Sequence, residues 1–117
     1  MRGALLNAPD PFRSALRPLP DDFEIVESPN GPVDYVHLFA LNTDQMSALL
    51  SKAIGLVIYD GLLWISWPKS SSGVETDLDQ DLLEAALGQL GYRPVRVVSI
   101  SDVWSALRFR PKDVTGG

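Results

Sequence analysis

At 117 residues the chain is long enough for one hydrophobic core and short of two. Its 45% apolar and 21% charged residues match ordinary globular usage, and the net charge of −5 with scattered basic residues disfavours general nucleic-acid binding. Cysteine is absent and His37 is the lone histidine, which excludes disulfides, thiolate chemistry and cysteine-based zinc sites and makes a cytoplasmic location the expectation.

In chain order, GALLNAP (3–9) reads as a short buried strand stopped by Pro9 and Pro11. The same prolines interrupt the opening apolar stretch too early for a signal peptide. Asp10 as cap and Pro11 at the first helical position then start a short helix, which Pro18 and Pro20 end. DFEIVES (22–28) alternates as a second strand, SPNGP makes a turn, and VDYVHLFAL (33–41) has the near-continuous apolar character of a central strand.

Thr43 caps the clearest predicted helix, in which Met46, Leu49, Leu50, Ala53 and Val57 recur at helical spacing. YDG (59–61) is a turn into LLWISW (62–67), a fourth buried strand. No apolar run approaches the roughly 20 residues of a membrane helix. Beyond the KSSSG loop, Thr76 or Asp77 starts a helix with Leu78, Leu82, Ala86 and Leu90 as its core stripe. Asp77, Asp79 and Asp81 sit at its positive end, and Gly91 is placed to stop it. RPVRVVSI (93–100) and SALRFRP (105–111) form two strands whose connection through Asp102 and Trp104 is too short for a parallel crossover, so they run antiparallel.

This order predicts a single α/β domain over 1–111, with KDVTGG (112–117) a frayed tail. The expected architecture is three-layer and Rossmann-like, a mostly parallel sheet of about six strands with an antiparallel C-terminal hairpin. The stretch DYVHLFALNTDQMSALLSKAIGLVIYDGLLWISWP (34–68), followed by that hairpin, resembles the later half of Rossmann-like methyltransferases. Over almost its whole length the chain is also similar to a bacterial family of small domains to which no activity is attached. The shared stretches are ALLNAP (4–9), LPDDFEIVE (19–27), DYVHLFA (34–40), LLWISWPKSSSGVETDL (62–78) and DVWSALRFRP (102–111), in that order. That resemblance implies a fold and no reaction. Many members carry a further N-terminal segment, which implies a less protected first sheet edge here.

The methyltransferase resemblance implies S-adenosylmethionine as a cofactor, held by a glycine-rich loop after the first strand and an acid ending the second. Glu27 stands at the second position, and a solvated strand-end glutamate is the plainer reading of it. The first loop, NAPDPF, has two prolines and no glycine, which argues against the cofactor. Lys69, Ser70 and Ser71 lie just past the fourth strand, where open α/β sheets bind ligands. They could cradle a small anion. The plainer reading is a polar connection with Lys69 paired to Glu75 or Asp77. Asn7 ends the first strand at the same edge, as ligand contact or loop tie. Trp104 must fold back onto the sheet end, as lid or plug. Of the other two tryptophans, Trp64 is expected in the core and Trp67 either there or on a pocket wall. His37 reads as a hydrogen-bonded core residue.

The leading expectation is therefore a non-catalytic interaction or small-ligand module with no cofactor, binding an anion or a protein partner. An atypical S-adenosylmethionine-dependent enzyme using Asn7, Glu27 and Lys69 is the enzymatic alternative. A homodimer pairing edge strands is the structural one.

Overall fold

The computed structural model describes residues 2–8, 24–25 and 32–113. Strands β1 (Arg2–Leu6), β2 (Glu24–Ile25) and β3 (Val33–Phe39) are followed by helix α1 (Thr43–Leu56). Strand β4 (Val57–Pro68) then leads through a 3-10 turn (Ser70–Ser72) to α2 (Gln80–Gln89), and β5 (Tyr92–Ser99) and β6 (Trp104–Pro111) close the fold. One sheet holds the strands in the order β2-β1-β3-β4-β6-β5. The α/β class is as expected, and the sheet is mixed. β1 runs parallel to β2 and to β3, and β3 parallel to β4, while β6 runs antiparallel to both β4 and β5. The hairpin therefore contributes two antiparallel pairings, because β6 lies inside the sheet and β5 forms its edge.

Sheet alternation sorts the side chains onto two faces. Val36 is opposite Leu63, Leu38 opposite Ile65, Leu63 opposite Phe109 and Ile65 opposite Leu107, so these share a face. Met46, Leu50 and Ala53 of α1 and Leu83 and Leu87 of α2 join the same core. Both described helices thus cover one face, and the sheet and this helix layer are the two layers described. The helix predicted over the first proline cluster, which would supply the third layer, lies outside the described residues.

Several local expectations are corrected. The cap of α1 is Asn42, whose Oδ1 accepts from Gln45 N at 2.9 Å, one residue before Thr43. The second helix begins at Gln80 with Asp79 as cap. Leu78, now ahead of the helix, is buried in the core as expected, but within the helix the core stripe is Leu83 and Leu87, with Leu82 and Ala86 at its side and Leu90 51% exposed. YDG is part of β4: Val33 pairs with Val57 and Tyr35 with Leu62, so residues 58–61 bulge out between the two pairings. Asp60 takes a left-handed φ of 56° there. Trp67 is core, whereas Trp64, expected there, lies half-buried on the other face.

At the C-terminus, Lys112 N donates to Gly91 O at 2.8 Å and Tyr59 OH to Asp113 Oδ1 at 2.9 Å, so these two tail positions are tied to the body. The rest of the predicted tail lies outside the described residues. Neither described helix is long and apolar enough to cross a membrane.

Candidate functional site

β1, β3 and β4 are parallel, so their carboxyl ends share one edge of the sheet. β2 lies on one side of β1 and β3 on the other. The chain therefore reverses its direction of progress across the sheet at β1/β3, the kind of switch point where α/β sheets open a crevice for ligands.

Asn7 occupies that point. Its φ of 60° places it in the left-handed region, which asparagine tolerates better than most residues. A sharp turn directly after β1 is the service a glycine would render, so the absence of glycine from NAPDPF does not deny the chain that turn. Asn7 Nδ2 donates to Phe39 O and to Gln45 Oε1, both at 3.0 Å, fastening the end of β1 to the end of β3 and the start of α1. Gln45 Oε1 also accepts from Leu41 N at 2.9 Å.

Beside it, the half-buried start of α1 and the loop before α2 flank an open crevice of about 390 Å3 lined by Asn42, Glu75, Thr76 and Asp77. Thr43 N donates to Asp77 Oδ1 at 2.8 Å. Bonds from Thr43, its hydroxyl first and then its backbone N–H, hold the Asp77 carboxyl below its ordinary value, so it stays ionised. The lining is two carboxylates, an amide and a hydroxyl. It favours cationic and hydroxylic groups over an anion.

Lys69 belongs to the same edge but turns elsewhere. Its Nζ donates to Ser99 Oγ at 2.5 Å, and Asp77, one of its two expected partners, is engaged by Thr43. Lys69 O accepts from Ser72 N at 3.0 Å and Ser72 Oγ at 2.7 Å, closing the turn that leaves Ser70 and Ser71 exposed. Trp104 pairs with Pro68 and meets Phe39 edge-on, with ring centroids 5.2 Å apart. Asn7, Phe39, Trp104 and Lys69 thus follow one another along the edge, while the side chains of Asn7 and Lys69 reach in different directions. Glu27 lies outside the described residues. None of the four crevice residues was singled out as a ligand contact by sequence reasoning: Thr76 and Asp77 were read as a helix start, and Glu75 and Asp77 as partners of Lys69. The available signal was Asp79 as the capping residue, which leaves Thr76 and Asp77 outside α2.

On the opposite face from the helices, His37 links two strands. Its Nδ1 lies 2.8 Å from Tyr35 OH and its Nε2 2.5 Å from the buried Ser66 Oγ. Its ring stacks on Phe39 at 4.3 Å. Burial pushes the imidazole down to about 3 and the Tyr35 phenol up to about 12, so both are neutral near pH 7. This is a structural bridge, as the sequence suggested.

No protein-family model matches the chain, and no curated protein matches it in sequence. Among solved structures it is similar to DhpI in complex with SAH, with a TM-score of 0.54 at 14% identity over 97% of this chain and 78% of that one. It is likewise similar to a Sulfolobus solfataricus protein assigned as a type 11 methyltransferase, with a TM-score of 0.54 at 12% identity over 98% and 73%. LepI in complex with SAM gives a TM-score of 0.53 at 15% identity over 94% of this chain and 36% of that one. At these identities the likeness shows a methyltransferase-like α/β fold.

Proposed function

We propose that this is a small-ligand binding domain of the cytoplasm whose ligand is an adenosyl compound of the S-adenosylmethionine class, seated beyond the ends of β1 and β3. The observation that carries the reading is the left-handed turn at Asn7 at the switch point, beside a crevice lined by Asn42, Glu75, Thr76 and Asp77. S-adenosylmethionine bears a sulfonium and an ammonium centre, ribose hydroxyls and an adenine. Ionised Asp77 with Glu75 suits the cationic centres, and the Asn42 amide and Thr76 hydroxyl suit hydroxyls and ring nitrogens. The fold of the neighbours, two of which were solved with SAH or SAM, supports the same choice. When bound, the cofactor supplies an electrophilic methyl group. The residues of this chain are assigned only its binding: Asp77 is held ionised, so it pairs with charge and donates no proton.

A second reading is favoured by Lys69, whose ammonium is bonded to a neutral hydroxyl. With Ser70 and Ser71 it would take a small anion at the β4 end.

Thermal unfolding of the domain with S-adenosylhomocysteine, S-adenosylmethionine, phosphate or sulfate separates the two. A ligand at about 100 times its Kd adds nearly 3 kcal/mol, a rise of roughly 10 °C at this size. The adenosyl compounds are expected to give that rise, and Asp77→Asn to lower their affinity at least about tenfold by removing a charge-assisted partner. A rise with the simple anions alone, abolished by Lys69→Met, would replace the adenosyl reading with the second. A flat response to every compound would remove both.

A further inference from the structure

The sheet face opposite the helices carries a charge arrangement that the crevice does not use. Along the β5–β6 hairpin, Arg93 is paired with Arg110 and Arg96 with Arg108. These four are among only 10 basic side chains in a chain of net charge −5. Like charges directly across a strand pair repel one another. Asp60, carried there by the bulge in β4, takes Arg110 in a fork, with Nε to Oδ1 at 2.9 Å and Nη2 to Oδ2 at 2.8 Å. The Asp60 charge also attracts Arg108 through space, but neither Arg96 nor Arg108 bonds a carboxylate among the described residues. Arg108 Nε is buried and has no hydrogen-bond partner among the described residues, a costly state for a guanidinium N–H.

Arg108 is paired with Trp64 on β4, and Ala106 is the next residue of β6 on the same face. Trp64 and Ala106, with Tyr35, His37, Val98 and Ile100, line an open depression of about 330 Å3. Small-molecule pockets begin at about this size. The lining is mainly apolar and aromatic, and the arginine row lies along its border.

We propose that this depression binds a small organic anion. A flat aromatic body packs against Trp64, Val98, Ile100 and Ala106, and a carboxylate or phosphate head is held by Arg108 and Arg96. Guanidinium groups match the two oxygens of either head in a fork and also stack on aromatic planes. On turning toward the head, Arg108 would give its unbonded Nε a partner, and the head's charge would offset the repulsion between the paired arginines. This site is separate from the carboxyl-edge crevice and does not depend on what that crevice binds.

Titration calorimetry of the whole chain with naphthoate, naphthyl phosphate and uncharged naphthamide tests it. At least one acid is expected to bind saturably at a single site, the two acids reporting which head is preferred, and naphthamide at least about tenfold more weakly. Arg108→Met should reduce the affinity of the acids to that of the amide. Arg96→Gln, at an exposed position, should lower it at least about tenfold while leaving the Tm of the unliganded protein unchanged or higher, because a like-charged neighbour has gone. Neither variant should alter the response to S-adenosylhomocysteine. Failure of both acids to bind at millimolar concentration would overturn the proposal. So would naphthamide binding as tightly as the acids, or undiminished acid binding in both variants.

Discussion

His37 is the residue whose state decides most on its face of the sheet. It is 3% exposed, sits between Tyr35 and Ser66, and is held neutral by desolvation. In the unfolded chain it takes up a proton near its ordinary value of 6.5, and in the folded chain only near 3. The unfolded state therefore binds more protons between these values. The stability His37 lends is complete above about 6.5 and is lost as pH falls from there toward about 3. Its contribution to the slope approaches about 1.4 kcal/mol per pH unit inside that window. As the lone histidine its ring proton is unambiguous in a proton NMR spectrum. Its resonance is expected to stay in place from about pH 8 to about pH 4.5, and a midpoint near the ordinary histidine value would refute the buried neutral state. That His37 is a bonded core residue was legible from its place in an apolar run. That its partners are Tyr35 and Ser66 was not, because Ser66 lies 29 residues away on another strand.

Among the elements, β4 departs most from its sequence pattern. A helix ending at Leu56 passes straight into a strand at Val57, and the expected turn becomes a bulge of residues 58–61. Asp60 and Gly61 make that possible together. A Cβ at Gly61 would lie 2.8 Å from Val57 Cγ2, 2.9 Å from Ile58 Cγ1 and 3.0 Å from the Asp34 carbonyl oxygen. The backbone contact cannot yield by a rotamer change. Gly61→Ala is thus expected to cost about 1–3 kcal/mol through overpacking. Gly55→Ala, inside α1 with nothing within 4 Å, should gain roughly 0.5–1 kcal/mol. Urea denaturation of the two variants checks this opposition of sign, and equal effects would show that the bulge is not packed as described. The pattern YDG announced irregular backbone correctly. Whether it lies before the strand or within it depends on pairing with β3, which no local pattern contains.

For the whole molecule, the exposed edge at β5 is the test of self-association. Pro94 interrupts its hydrogen-bonding row, the register shifts between Pro94 and Arg96, and Arg93 and Arg96 add charge. Each is a device that keeps an edge from accepting another strand. Sedimentation at rising concentration is expected to give the mass of one chain. A dimer with hydrogen-exchange protection extended along Tyr92–Ser99 would overturn that expectation and restore the edge-paired homodimer.

The sequence by itself determined the order of the described elements, the α/β class and the antiparallel sense of the last two strands. Those follow from apolar periodicity, caps and connection length, all of which act over a few residues. Only the tertiary structure decided the placement of β6 inside the sheet and the helix face formed by Leu83 and Leu87. It alone turned Lys69 to Ser99, set Glu75 and Asp77 beside Asn42, and placed Arg96 opposite Arg108. These depend on strand register and on contacts between residues far apart in the chain, where many local patterns are compatible with several partners and packing selects among them.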